Sequence, residues 1–293
     1  MQDCLYVISL KKRAMHNFSK SAVTIDDNLR EVGKKLHSPK KEFFAKNKDI
    51  LSSLYNNYDD LAAKDKLHTL QSHFSTKSER ALAYELYGSE RPFVNAQWEN
   101  LTRINGGETL FCPICGLNEC EEMDHFVPRE EEKFPEYSAH LSNLIPLCHS
   151  CNHKKSDKFL NDNKDRIYFN AFYDTLRERD IIQCTIELST LDGFPQIKVK
   201  VNPSLYFENK PDKYILSTIR DLELLPKFLT RAKSLFKKEI NRLKSRVGQP
   251  WDVIKKEMLA QSTPVDNDPD IIYPAVLKAI GESEVMKTWF NSL

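Results

Sequence analysis

The stretch Asn143-Leu144-Ile145-Pro146-Leu147-Cys148-His149-Ser150-Cys151-Asn152-His153-Lys154-Lys155, with the earlier Cys112-Pro113-Ile114-Cys115-Gly116, decides how this chain reads. Two thiolates at positions i and i+3 can bite one metal ion, and the glycine after Cys115 lets backbone amides turn toward the sulfurs. Cys148 and Cys151 form a second such pair, with 32 residues between Cys115 and Cys148. Together Cys112, Cys115, Cys148 and Cys151 supply four soft ligands, the closed tetrahedral set of a structural Zn²⁺. A redox C-x-x-C would need a βαβ surround and one pair only. Cys120, between the pairs, reads as a free thiol.

Between the pairs lie Met123-Asp124-His125-Phe126-Val127-Pro128-Arg129 and then Asn143-Leu144, with Asn152 directly after the last cysteine. This combination resembles the HNH nuclease family, whose ββα-metal motif runs C-x-x-C, D-H-x-x-P and N-L-x-x-L-C-x-x-C-N-x-x-K. Residues 143–155 reproduce the second half without a gap, and the resemblance covers about residues 110–158. It implies a first strand with Asp124 and His125 on opposite sides, a second strand after Asn143, and a helix after Cys151 with Asn152 at its N-terminal end. It also implies phosphodiester hydrolysis, which needs an activated water in line with the leaving oxygen and a cation to neutralise developing charge. On this resemblance His125 is the general base, because an imidazole with a pKa of about 6.5 accepts a proton from water at neutral pH. Asp124 and Asn152 would hold one hard Mg²⁺ or Mn²⁺ through oxygen. Asn143 would orient His125 from a supporting position, and Lys155 and Arg129 would contact phosphate. His149 and His153 are out of register with Asn152 and read as surface or phosphate-contacting residues.

Outward from this module the chain is mostly helical, so the expected class is α+β: a zinc-stapled ββα core at 106–160, between a helical region at 1–105 and a mostly helical region at 161–293. Ser38-Pro39 predicts a helix start, with Phe43, Phe44, Ile50, Leu51 and Leu54 on one apolar face. Thr76 and Glu79 match a capping box whose helix carries Leu82, Ala83 and Leu86 to a stop at Gly88. Tyr6 to Leu10 reads as a short strand or a lead-in. Lys158 to Leu176 is predicted helical, and Cys184–Thr190 with Gln196–Val201 alternate as a hairpin around Asp192-Gly193. A long stripe, Leu225, Phe228, Leu229, Ala232, Phe236, Ile240, Leu243 and Val247, predicts a helix. Its other face is basic, with Lys227, Arg231, Lys233, Lys237, Lys238, Arg242, Lys244 and Arg246 against Glu239 alone.

Charge and hydropathy narrow the function. The longest early apolar run, Leu5 to Leu10, is too short for a signal segment, and no run suits a membrane span, so a cytoplasmic chain is expected. The net charge of +1 hides an uneven layout: residues 106–160 hold 5 Lys/Arg against 10 Asp/Glu. Glu119, Glu121, Glu122 and Glu130 to Glu132 flank the Asp-His pair and oppose non-specific binding of nucleic acid, so flanking regions or a partner must supply the grip. The stretch from Met123 through Lys133-Phe134-Pro135-Glu136-Tyr137-Ser138 to Cys148 is also similar to HNH subunits encoded beside ATPases in anti-phage systems, the Septu and retron-associated nuclease subunits. That resemblance implies a defence nuclease held or aimed by an ATPase partner, while the HNH resemblance as a whole makes DNA the expected substrate ahead of RNA. Two other classes stay open at this point: a non-catalytic zinc-ribbon module that binds nucleic acid or protein, and a scaffold subunit of a larger assembly.

Overall fold

The computed structural model describes residues 18–88, 91–105, 109–174, 181–202, 213–263 and 271–293. It is α+β, with ten α-helices and two separate two-stranded antiparallel sheets among the described residues. They fall into two compact units that divide at 175/176. The expected strand or lead-in at Tyr6–Leu10 and the Gly106-Gly107 break lie outside the described residues. No described helix is long and apolar enough to cross a membrane.

In the first unit, helices α1 (Ile25–Gly33), α2 (Lys40–Ala63), α3 (Lys77–Tyr84) and α4 (Pro92–Asn105) precede a small ββα module: β1 (Glu122–His125), β2 (Leu144–Leu147) and α5 (His149–Lys155). Thr76 caps α3 as expected: its hydroxyl oxygen accepts from the Glu79 amide and its O–H donates to the Glu79 carboxylate. The helix ends at Tyr84, ahead of Leu86 and Gly88. In α2, Pro39 occupies the N-cap position rather than the first turn, and Ser38 makes no cap. Of its expected face, Phe43, Phe44 and Leu51 are buried, whereas Ile50 is exposed.

Helices α1, α2 and α4 enclose the connection between β1 and β2. Asn28 donates to the Ala139 carbonyl and accepts from the Leu141 amide, and Gln97 donates to the Leu141 carbonyl. At the centre, the Tyr55 ring stacks on His140 at 4.3 Å and Tyr58 meets it edge-on at 4.9 Å. Asp59 accepts from His140 Nε2 at 2.9 Å, Tyr173 Oη at 2.7 Å and Lys20 Nζ at 2.8 Å. Buried polar groups need such partners, because an unmade hydrogen bond in the interior costs more than a made one contributes.

The segment after α5 is not the helix that its apolar residues suggest. Asn161 closes a local turn instead, its side chain accepting from the Asp165 amide at 2.8 Å, and Leu160 bridges to Arg166. Asn side chains that bond nearby amides compete with helix formation. The buried Arg166 pairs with Asp174 at 2.6 Å and Asp65 at 3.0 Å, fixing the turn against the unit.

The second unit has the expected hairpin, β3 (Ile182–Leu188) and β4 (Pro195–Val201), with Ile182 opposite Val201 and Ile186 opposite Ile197. Its loop spans Ser189 to Phe194, and Gly193 takes the positive φ that the turn requires. Helices α6 (Lys213–Asp221), α7 (Leu224–Lys244), α8 (Trp251–Ser262), α9 (Ile272–Glu282) and α10 (Glu284–Asn291) complete the unit. Phe228, Ala232, Phe236, Ile240 and Leu243 of α7 are buried as the stripe implied, but Val247 lies beyond the helix and is exposed. Glu239 does not face the lysines. It is buried and accepts from Tyr273 Oη at 3.0 Å.

The His140–Asp59 cluster makes the first unit acid-sensitive. Burial opposes ionisation of Asp59, but the bonds from His140, Lys20 and Tyr173 outweigh it and hold the carboxyl below its ordinary range. Burial also pushes His140 down, toward the neutral form. Both folded-state values are depressed, so both contributions to stability are present at high pH and lost on acidification. Thermal melting followed against pH is expected to weaken below about pH 6.5 and more steeply below about pH 4. Asp59→Asn should flatten the lower limb and cost about 1–3 kcal/mol at neutral pH.

Candidate functional site

The four cysteines meet, with all four sulfurs buried and within 4.8 Å of one another. A tetrahedral Zn²⁺ with Zn–S bonds of about 2.3 Å sets its sulfurs about 3.8 Å apart. Cys115 Sγ and Cys148 Sγ are 3.8 Å apart. The chemistry agrees, since burial pushes the Cys112 thiol up while its neighbours' hydrogen bonds pull Cys148 down. Clustered sulfurs cannot all ionise without a cation among them. The first knuckle is shaped by Gly116, at φ +63°, whose amide donates to the Cys112 carbonyl at 2.8 Å. Cys120 is buried outside the cluster, a free thiol whose ionisation burial disfavours.

The cysteines thereby tie the loop before β1 to the start of α5, and β1 pairs with β2 so that Asp124 lies opposite Ile145 and His125 opposite Leu144. Consecutive strand residues point to opposite faces. Glu122 and Asp124 therefore share the face that α5 covers, and His125 points the other way. On the α5 side Lys155 is buried, its ammonium 2.9 Å from Asp124 Oδ2 and 2.9 Å from the His125 carbonyl oxygen. Burial pushes the Asp124 carboxyl up, and Lys155 opposes this. Asn152 donates through its amide nitrogen to Glu122, which also accepts from His149 Nδ1 at 2.7 Å. This leaves the Asn152 side-chain oxygen, Oδ1, as the atom with which it could face a cation. The helix begins at His149, so Asn152 is its fourth residue rather than at its N-terminal end. His149 and His153 stack at 6.0 Å on the surface. Asp124 and Asn152 fit a hard divalent cation by donor type, and Asp124 already faces a positive charge here, the Lys155 ammonium.

On the opposite face the His125 ring is held at one nitrogen. Nε2 lies 2.8 Å from the Ser138 carbonyl oxygen, which can only accept, so the ring is the Nε2–H tautomer with Nδ1 as its proton acceptor. The Tyr87 ring meets the imidazole edge-on at 4.5 Å. Burial, with Arg129 and Lys155 nearby, pushes the imidazole down to about 3, against the Ser138 bond. The ring is thus neutral at rest.

Asn143 touches the backbone rather than the imidazole. Its Oδ1 accepts from the Val127 amide at 2.7 Å and Tyr58 Oη at 2.9 Å, and its Nδ2 donates to the carbonyls of Val127 and Tyr137 at 2.9 and 3.2 Å. It closes the connection between the strands and so sets where Ser138 meets His125. Arg129 sits between two rings, 4.1 Å from that of Tyr84 and 4.7 Å from that of Tyr87, and donates to the Tyr84 carbonyl.

Three of the residues that shape the site carried no motif: Tyr58, Tyr84 and Tyr87 act by tertiary position alone, and Ser138 lay in a quoted segment that gave it no role. Glu122 could have been found, since it lies two residues before Asp124 on the same strand face. Asn143→Ala should take a hydrogen-bond partner from four buried polar groups, leaving the Val127 amide and carbonyl and the Tyr58 hydroxyl unpartnered, and lower stability by about 3 kcal/mol or more. Cys151→Ser should release zinc, measured as metal content per chain alongside thermal melting. Unchanged melting in the first variant, or full zinc in the second, would contradict these roles.

No curated protein and no solved structure matches the chain. The segment that holds the four sulfurs and the Asp124–His125 strand does match a known family: residues 112–158 fit the model described as HNH endonuclease, and the cysteine cluster inside them fits that family's zinc site.

Proposed function

We propose that the chain is a metal-dependent endonuclease that hydrolyses phosphodiester bonds of DNA, with His125 as general base. The observation that carries this reading is the single hydrogen bond from His125 Nε2 to the Ser138 carbonyl, which turns Nδ1 into the proton acceptor. Water gives one proton to Nδ1 as its oxygen attacks phosphorus, the P–O3′ bond breaks, and the leaving O3′ takes a proton from solvent, so the ends become 5′-phosphate and 3′-hydroxyl. A Mg²⁺ or Mn²⁺ held by Asp124 and Asn152 supplies charge neutralisation at the phosphate when bound. An incoming phosphate places negative charge near Arg129 and Lys155, the two cations that depress His125 at rest, and so lifts the imidazole toward a useful basicity. Asn143 and Ser138 act by holding the ring in place. Zn²⁺ at the cysteines has no role in the reaction beyond maintaining the frame.

The finer role follows from the resemblance to anti-phage HNH subunits together with the charge balance. A module with 5 Lys/Arg and 10 Asp/Glu at 106–160 carries a net negative charge that opposes non-specific binding of nucleic acid. An ATPase partner that delivers the substrate answers that need. Pro135-Glu136-Tyr137, part of the segment that carries this resemblance, forms a buried turn directly before Ser138.

The test compares purified wild-type chain with His125→Ala on plasmid DNA and total RNA, in Mg²⁺, in Mn²⁺ and in EDTA, with zinc content checked in both. Cleavage by wild type is expected to be lost in EDTA and to fall about 10²- to 10⁴-fold in the variant. Equal cleavage by both proteins would remove His125 from the mechanism. An intact plasmid beside degraded RNA would reassign the substrate.

A further inference from the structure

Beside His125 the first unit contains a cleft of ≈ 560 Å³ that residues outside 112–158 mostly build. Tyr87, whose ring edge meets His125, is part of its wall. Arg129 is a second part, its guanidinium fixed between the Tyr84 and Tyr87 rings. Arg91 lies across Gly88: a Cβ on that glycine would come within 3.2 Å of Arg91 Cγ, so the missing side chain makes room for the arginine. Lys40 completes the cationic lining, 3.2 Å from Glu85, the single carboxylate there among the described residues. Neither Arg91 nor Arg129 has an acidic partner among the described residues. Three cations against one acid stand out beside a module in which acids outnumber bases two to one.

We infer that this cleft binds a backbone phosphate of the nucleic-acid strand, one neighbouring the phosphate presented to His125. The ring faces of Tyr84 and Tyr87 are taken by Arg129, so the cleft offers N–H donors and positive charge rather than a stacking platform for a base. Guanidinium groups suit phosphate oxygens through paired N–H donors. Contacts of this kind fix register on the strand without reading sequence. Lys40 at the start of α2 and Arg91 just before α4 would thus add, beside Arg129, the grip that the acidic ββα module lacks. The inference rests on the nuclease reading for the kind of ligand, and binding can be measured apart from cleavage.

Arg129 supports the wall itself, so the rim residues are the better probes. In a His125→Ala background without divalent ions, a fluorescein-labelled DNA duplex is titrated with the parent chain, Lys40→Ala, Arg91→Ala and Glu85→Gln, over a range of salt. Lys40→Ala and Arg91→Ala should each weaken binding about three- to tenfold at low salt and reduce the slope of log K against log[salt] by about 1. Glu85→Gln should tighten binding, a change of sign that loss of packing would not give. Zinc content and melting temperature of each variant establish that the fold is intact. Binding and salt slope equal to the parent's in both alanine variants would overturn the inference, as would a parent chain that does not bind the duplex at low salt. Weakened binding in a protein whose His125 form cuts nothing would leave the cleft standing and the nuclease reading refuted. Cleavage with no effect of the rim residues would give the reverse.

Discussion

The connection between β1 and β2 is buried, and its backbone groups must find partners inside the protein. That requirement organises the first unit. Asn143 satisfies Val127 in both directions and Tyr137 besides, while Asn28 and Gln97 reach in from α1 and α4 to the backbone at Ala139 and Leu141. Because the loop is held at so many points, the Ser138 carbonyl has a fixed address, and with it the His125 imidazole. The zinc ligands do the same for the other side, tying the entry to β1 to the start of α5. Two strands of four residues each are too short to be stable alone, so metal and helices together make the ββα frame.

Charge is divided between the two sides of β1. Toward α5, Glu122 and Asp124 gather Asn152, His149 and Lys155, and the buried Lys155–Asp124 pair shows that this face suits positive charge. Toward Tyr87, the imidazole is neutral and adjoins a cleft lined by Lys40, Arg91 and Arg129. An acidic module can therefore sit beside a locally cationic groove, because two of its three cations, Lys40 and Arg91, come from the chain that precedes it. The lysine-rich α7 belongs to the second unit.

What the sequence disclosed was local in character. Paired cysteines declare a metal because the ligand spacing is itself the geometry, and the alternation of Ile182, Cys184 and Ile186 against Ile197 and Val201 declares a hairpin. Thr76 and Glu79 marked a helix start that the structure contains. Tertiary choices were hidden. Lys158 to Leu176 has enough apolar residues for a helix, but Asn161 and the buried Arg166 take other partners. Lys155, expected at a phosphate, lies inside against Asp124. The partner of Asn143 that lies farthest along the chain, Tyr58, is 85 residues away, and nothing in its neighbourhood marks it. Arg129 could be suspected of meeting phosphate, but its two tyrosines could not be read from the sequence.

The fold presents His125 as a neutral Nε2–H imidazole with Nδ1 left as its proton acceptor. Long-range ¹H–¹⁵N correlation of the histidine side chains tests it directly, with His125→Ala to assign the signal. The expected result is the Nε2–H tautomer at about pH 7, persisting well below the ordinary histidine pKa of about 6.5. An Nδ1–H tautomer, or an imidazolium at neutral pH, would contradict the account.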